Sequence, residues 1–206
     1  MAGIFVFVLA QFIIVGAYLA YDITPSFLLR DANGIAEQPA YYGAISSVFC
    51  VFWMSAASIC LFSAMLCRHR DGASRTVRSL VLIGLLTMAL GMDDLLMLHE
   101  EMGPSAGIPE TAFYLVYAVL GFVWFVFSLA LIAQTNWLLL FAGIGGLAGS
   151  ILFDTMVPHF TGQMMVEDSF KIFGIIFWTA YLLTFSWTAL NGLDRRRSAP
   201  VSRRNG

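Results

Sequence analysis

The sequence predicts an all-α protein: a polytopic integral membrane bundle of six transmembrane helices with both termini cytoplasmic. Three observations predict it. The chain divides into six apolar runs, each close to or longer than the ~20 residues needed to cross ~30 Å of hydrocarbon. Only 12% of residues are charged while 59% are hydrophobic, with mean hydropathy +0.80, whereas a soluble domain carries about 25% charged residues. Finally, nine of the ten arginines fall in two places, Arg68, Arg70, Arg75 and Arg78 in one and Arg195, Arg196, Arg197, Arg203 and Arg204 in the other. Six spans put both on one side, which the positive-inside rule makes cytoplasmic.

The first span is residues 3–21, and the absence of any lysine or arginine before Arg30 reads as a retained helix, since a signal peptide would begin with a basic segment. Residues 22–39 carry Pro25, Gly34, Pro39, Asp22, Asp31 and Glu37 and are expected to form a loop. The second span, 40–67, is long enough to tilt. It holds all three cysteines, Cys50, Cys60 and Cys67, which lack Cys-x-x-Cys spacing and read as small buried hydrophobes. A basic loop over 68–78 leads to the third span, 79–99, closed by Gly103, Pro104, Gly107 and Pro109. The fourth span is 111–133, the fifth 137–157 and the sixth 165–190. No linker separates two domains, so residues 1–192 form one transmembrane domain followed by a basic cytoplasmic tail, 193–206.

Packing alone does not explain Gly91 to Glu101, which places Asp93, Asp94, His99, Glu100 and Glu101 at the end of a segment built for lipid. Acids inside a span are costly and normally face a bundle interior, a partner or a water-filled cavity. At 100° per residue from Asp93, Asp94 falls at about 100°, Glu100 at about −20° and Glu101 at about 80°, so the four acids share a face of a continuous helix. His99 falls at about −120° and joins that face only if the helix ends or unwinds near it.

The topology brings this stretch into one external layer with Asp154 at the outer end of the fifth span, His159 just beyond it, and Glu167, Asp168 and Lys171 at the start of the sixth. Lys171 is the chain's only lysine, and Glu167 and Lys171 form an i, i+4 pair in the favourable order. Gly145 and Gly149 supply a small-xxx-small pair that lets another helix come close to the fifth span.

Histidines and carboxylates together suit zinc or non-haem iron, and a dication would offset the repulsion among the acids. The expected metal ligands are His99, His159, Asp94, Glu100 and Asp154. Asp93 is the expected general base, and Glu167 and Lys171 complete the catalytic set as orienter or electrostatic stabiliser. Zinc is favoured, with iron or copper less so. No His-Glu-x-x-His or other complete metal motif is present. The expected activity is metal-dependent, hydrolase-like chemistry on a lipid-like substrate. Two other classes stay open: a proton- or cation-coupled transporter or channel, and a structural or assembly subunit. The net charge of −2 says little about partners; those expected are membrane lipids and a lipid-like small molecule or a cation, not nucleic acid.

Asp-Asp-Leu-Leu-Met-Leu-His-Glu at 93–100, Gly-Ile-Pro-Glu at 107–110 and Glu-Asp-Ser-Phe-Lys-Ile-Phe-Gly at 167–174 resemble an uncharacterised family of small bacterial multipass membrane proteins. That resemblance implies the bacterial inner membrane and no known activity. The chain is also similar in idea to the ceramidase-like membrane hydrolases, whose helix-borne histidines and acids hold zinc, but it lacks their histidine pair and seventh helix.

Overall fold

The computed structural model describes residues 2–30, 32–72, 74–156 and 163–198. These form helices α1 (Ala2–Tyr21), α2 (Pro25–Leu29), α3 (Ala32–Ile35), α4 (Ala44–Asp71) and α5 (Arg75–Leu96), then a π-helical turn (Leu98–Met102), α6 (Gly103–Ser105), α7 (Glu110–Ile132), α8 (Trp137–Met156) and α9 (Gln163–Ser198). No strand occurs among the described residues. The chain forms two compact units, Met1–Ile45 and Ser46–Gly206. In the first, α1 is an apolar helix and the expected loop after it is largely two short helices, α2 opening on Pro25, whose fixed φ suits the first helical position.

Among the described residues, five helices are long and apolar enough to cross a membrane: Ala44–Arg70, Arg75–Leu96, Glu110–Ile132, Trp137–Met156 and Met165–Gly192. The protein is therefore a multipass helical membrane protein. The first expected span, 3–21, falls on α1, a helix of 20 residues whose described apolar stretch is Phe7–Tyr21. The expected loop 68–78 shrinks, since α4 runs on to Asp71 and α5 begins at Arg75. Its start is fixed by Ser74, whose hydroxyl accepts the Val77 N–H, satisfying one of the free donors of a helix N-terminus. The arginines thus sit on helix ends, where Arg75 donates to the Phe127 carbonyl and lies over the Phe127 ring, 5.2 Å from its centre.

The core of the second unit is aromatic. Trp53, Trp124, Trp178, Tyr181 and Phe185 are all buried. Trp178 stands 6.3 Å from Trp53 and 6.4 Å from Trp124, and Trp124 stands 6.1 Å from Phe185. Buried indole N–H groups need acceptors; Trp178 Nε1 donates to Thr87 Oγ1 at 3.1 Å and Trp124 Nε1 to Ser79 Oγ at 3.1 Å, with Ser79 also bonded to Ser128 at 2.6 Å. These bonds tie α5 to α7 and α9. The other close seam is α8 against α9, where a Cβ on Gly146 would stand 2.6 Å from the Gly174 Cα. Only glycine permits that approach, and it seats the start of α9 against the end of α8.

Candidate functional site

Local backbone geometry builds the site. α5 stops at Leu96 because Met97 turns left-handed (φ 50°, ψ 45°), its N–H returning to the Asp93 carbonyl. The chain then makes one wide turn, with the Met102 N–H bonding the Met97 carbonyl at 3.1 Å. That break carries His99 back onto Asp93. The His99 N–H donates to Asp93 Oδ1 at 2.9 Å, and His99 Nδ1 meets Asp93 Oδ2 at 2.7 Å. Asp93 is 4% exposed, so one histidine meets both of its oxygens. The other ring nitrogen, Nε2, is 3.5 Å from Glu100 Oε1. Tyr114 stacks obliquely on the imidazole, 5.4 Å between ring centres, and donates to Glu110. Tyr117 interacts with the Asp93 carboxylate from α7.

Next to this pair is a second one. Lys171 on α9 forms an ion pair with Asp94 on α5. The Asp94 side chain is 8% exposed and that of Lys171 29%. The other Asp94 oxygen accepts from the Cys50 thiol at 3.6 Å. Adjacent residues on α5 therefore point to different helices: Asp93 towards the turn and α7, Asp94 towards α4 and α9.

The remaining acids ring this centre. Glu167 lies within electrostatic reach of Asp154, Asp168, Lys171 and Glu100, and Asp154 and Glu100 also act on Tyr114. For His99, burial disfavours the imidazolium, but the hydrogen bond and charge of Asp93, with Glu100 beyond it, outweigh burial and the opposing Lys171. The net effect raises its pKa above the ordinary histidine value.

The expected site residues thus divide. Asp93 and His99 meet directly, as do Asp94 and Lys171, while Asp154, Glu167 and Glu100 stand around them. Two expectations are corrected. Lys171 takes Asp94 as its ion-pair partner rather than its own-helix neighbour Glu167, because a carboxylate across the helix interface offers a more buried contact. The four acids do not share one continuous face, because Met97 ends the helix before Glu100 and Glu101. Among the described residues no three His, Cys, Asp or Glu side chains converge as a metal centre, and the expected ligand His159 lies outside the described residues.

Cys50, Tyr114 and Tyr117 were not anticipated. Cys50 gave no signal beyond a buried cysteine. The tyrosines did, since Glu110, Tyr114 and Tyr117 recur at i, i+4 and i+7 and share a helix face.

The chain belongs to the family described as a domain of unknown function (DUF8692), which matches residues 1–185. That extent takes in every described residue of the site. No curated protein matches. No solved structure matches either.

Proposed function

We propose that this protein is a membrane enzyme in which His99, oriented by Asp93, moves a proton in a hydrolytic reaction on a lipid-like substrate at the outer end of the bundle. The observation that carries this reading is the paired contact of Asp93 with the His99 N–H and Nδ1. A carboxylate so placed fixes the tautomer and stabilises the imidazolium, leaving Nε2 to exchange a proton with a reacting group. Asp93 is then the positioning residue rather than the base itself. In the proposed step Nε2 removes a proton from water, the water oxygen adds to an acyl carbon, and the imidazolium returns the proton to the leaving group. Lys171 supplies positive charge beside the developing oxyanion.

The reading goes with six spans, α1 being the first, and with both termini in the cytoplasm of a bacterial cell, the site opening outward. A divalent metal, zinc ahead of iron or copper, is a separate proposal. Stoichiometric metal in protein purified without chelator, lost in His99→Ala, would establish it.

A coupled transporter is the second reading, favoured by the Lys171 and Asp94 pair inside the bundle. The aromatic core counts against it. Trp178 lies about 10 Å along α9 from Lys171, and indoles donate but do not accept, so they interrupt a proton path. The test is to incubate the full-length protein in vesicles made from a total bacterial lipid extract and follow lipid composition by mass spectrometry. Loss of a lipid with gain of its hydrolysis product, abolished by His99→Gln, is expected. Unchanged lipids together with proton or cation flux abolished by Asp94→Asn would overturn the enzyme in favour of the transporter.

A further inference from the structure

At the opposite end of α5 from Asp93, two guanidiniums meet one ring. Arg75 and Arg78 stand one turn apart on the same face of α5 and both are exposed. Their guanidinium carbons lie 5.2 Å and 5.9 Å from the centre of the Phe127 ring on α7. Arg75 is gripped along one edge: its Nε and Nη2 both donate to the Phe127 carbonyl, the first at 3.0 Å. The edge formed by its two terminal nitrogens keeps unused donors, and Arg78 makes no side-chain hydrogen bond among the described residues. Neither arginine has a carboxylate partner there. The sequence supplies only one acid, Asp71, between Glu37 and Asp93.

We infer that Arg75 and Arg78 form a binding site for the phosphate of an anionic membrane lipid. Charge calls for such an occupant. Two like charges gathered on one ring repel each other, and the negative face of the ring offsets them only in part, so the element that completes the arrangement is an anion. A guanidinium presents parallel N–H groups that match the oxygens of a phosphate. Depth selects the source. Arg75 opens the span Arg75–Leu96, which puts both arginines in the first turn of a helix entering the hydrocarbon, where long cationic side chains reach the level of the lipid headgroups. A lipid phosphate is already at that level, whereas a soluble anion has to be drawn to it from water.

Anchoring separates this pair from the other basic side chains at the same helix ends. An exposed arginine loses rotamer freedom when it grips a ligand. At Arg75 the Phe127 carbonyl and ring have already restricted the side chain, and at Arg78 the ring has, so an arriving phosphate meets two cations that are partly ordered. Arg68, near the end of α4, is also exposed, but its side chain has neither a ring nor a hydrogen bond among the described residues. It therefore measures what surface charge does without a built site.

The experiment titrates the full-length protein, purified in detergent, with phosphatidylglycerol or with phosphatidylcholine in mixed micelles and counts bound lipid by native mass spectrometry. Phosphatidylglycerol is expected to bind more tightly than phosphatidylcholine. Arg75→Gln and Arg78→Gln are each expected to weaken it by roughly five-fold, the worth of one arginine near a membrane surface, while Arg68→Gln, which removes the same charge, changes it by less than about two-fold. Phe127→Leu leaves every charge in place and is expected to weaken binding by loosening both guanidiniums. Equal weakening by all three arginine variants overturns the site in favour of diffuse surface charge, and the absence of any preference over phosphatidylcholine overturns it outright. Glycerol phosphate separates the two sources of the anion: displacement of phosphatidylglycerol at equal concentration would reassign the pair to a soluble phosphate ester and overturn the lipid assignment. If Arg75→Gln does not fold, Arg78→Gln, which gives up only the ring contact, decides the comparison with Arg68→Gln.

Discussion

Replacing Lys171 with methionine keeps the volume and removes the charge, leaving the Asp94 carboxylate, 8% exposed, without its cation. Breaking a buried ion pair from one side costs about 3–5 kcal/mol because a buried charge is left uncompensated. The low end applies, since Lys171 is 29% exposed and Asp94 is two residues from the end of α5. A loss of about 3 kcal/mol corresponds to a fall of roughly 6–12 °C in a protein of this size. Asp94→Asn should cost a similar amount by stranding the ammonium. The combination of Lys171→Met with Asp94→Asn should recover most of the loss, because replacing both members of a buried pair is often near neutral. Unfolding of all four proteins in mixed micelles, followed by circular dichroism, measures the coupling. Additive losses in the double variant would show that the pair is not an interacting unit and would remove Lys171 from the site.

His99 gives a pH dependence of defined sign. Its raised pKa means that the Asp93 contact stabilises the fold fully below the ordinary histidine value and is lost as pH rises through the raised one. Melting across this range should show the loss, while His99→Gln should be flat there. At Met97, glycine should lie within about 1 kcal/mol of the unsubstituted protein, since relief of left-handed strain offsets the added freedom of the unfolded chain. Met97→Ile should be clearly less stable and should shift the His99 ring resonances as the turn loses its grip on Asp93. Gly146→Ala should separate α8 from α9 and cost about 1–3 kcal/mol by overpacking, whereas Gly145→Ala, which would meet nothing within 4 Å, should not; melting of the two variants side by side decides it.

The apolar runs and the acids between them were legible because each follows from one-dimensional chemistry. Hydrocarbon demands long uninterrupted segments, and a carboxylate one turn inside such a segment stands out without any knowledge of its neighbours. That His99 needs a break in the helix to reach the acids was readable too, from 100° per residue alone. Which residue would make that break was not, because methionine has no preference for a left-handed backbone and only the packing around the turn imposes it. Partner choice was hidden for a related reason. Glu167 is the obvious mate for Lys171 on a helical wheel, but the wheel sees one helix, and the Gly146 and Gly174 contact that orients α9 is a property of two. The same limit applied to Cys50, which reads as filler on α4 until α5 brings Asp94 against it. Sequence therefore marks the layer where chemistry is concentrated, while the pairing within it is set by which helices touch. In this protein that pairing splits two adjacent aspartates into separate tasks, Asp93 fixing a histidine and Asp94 holding a lysine.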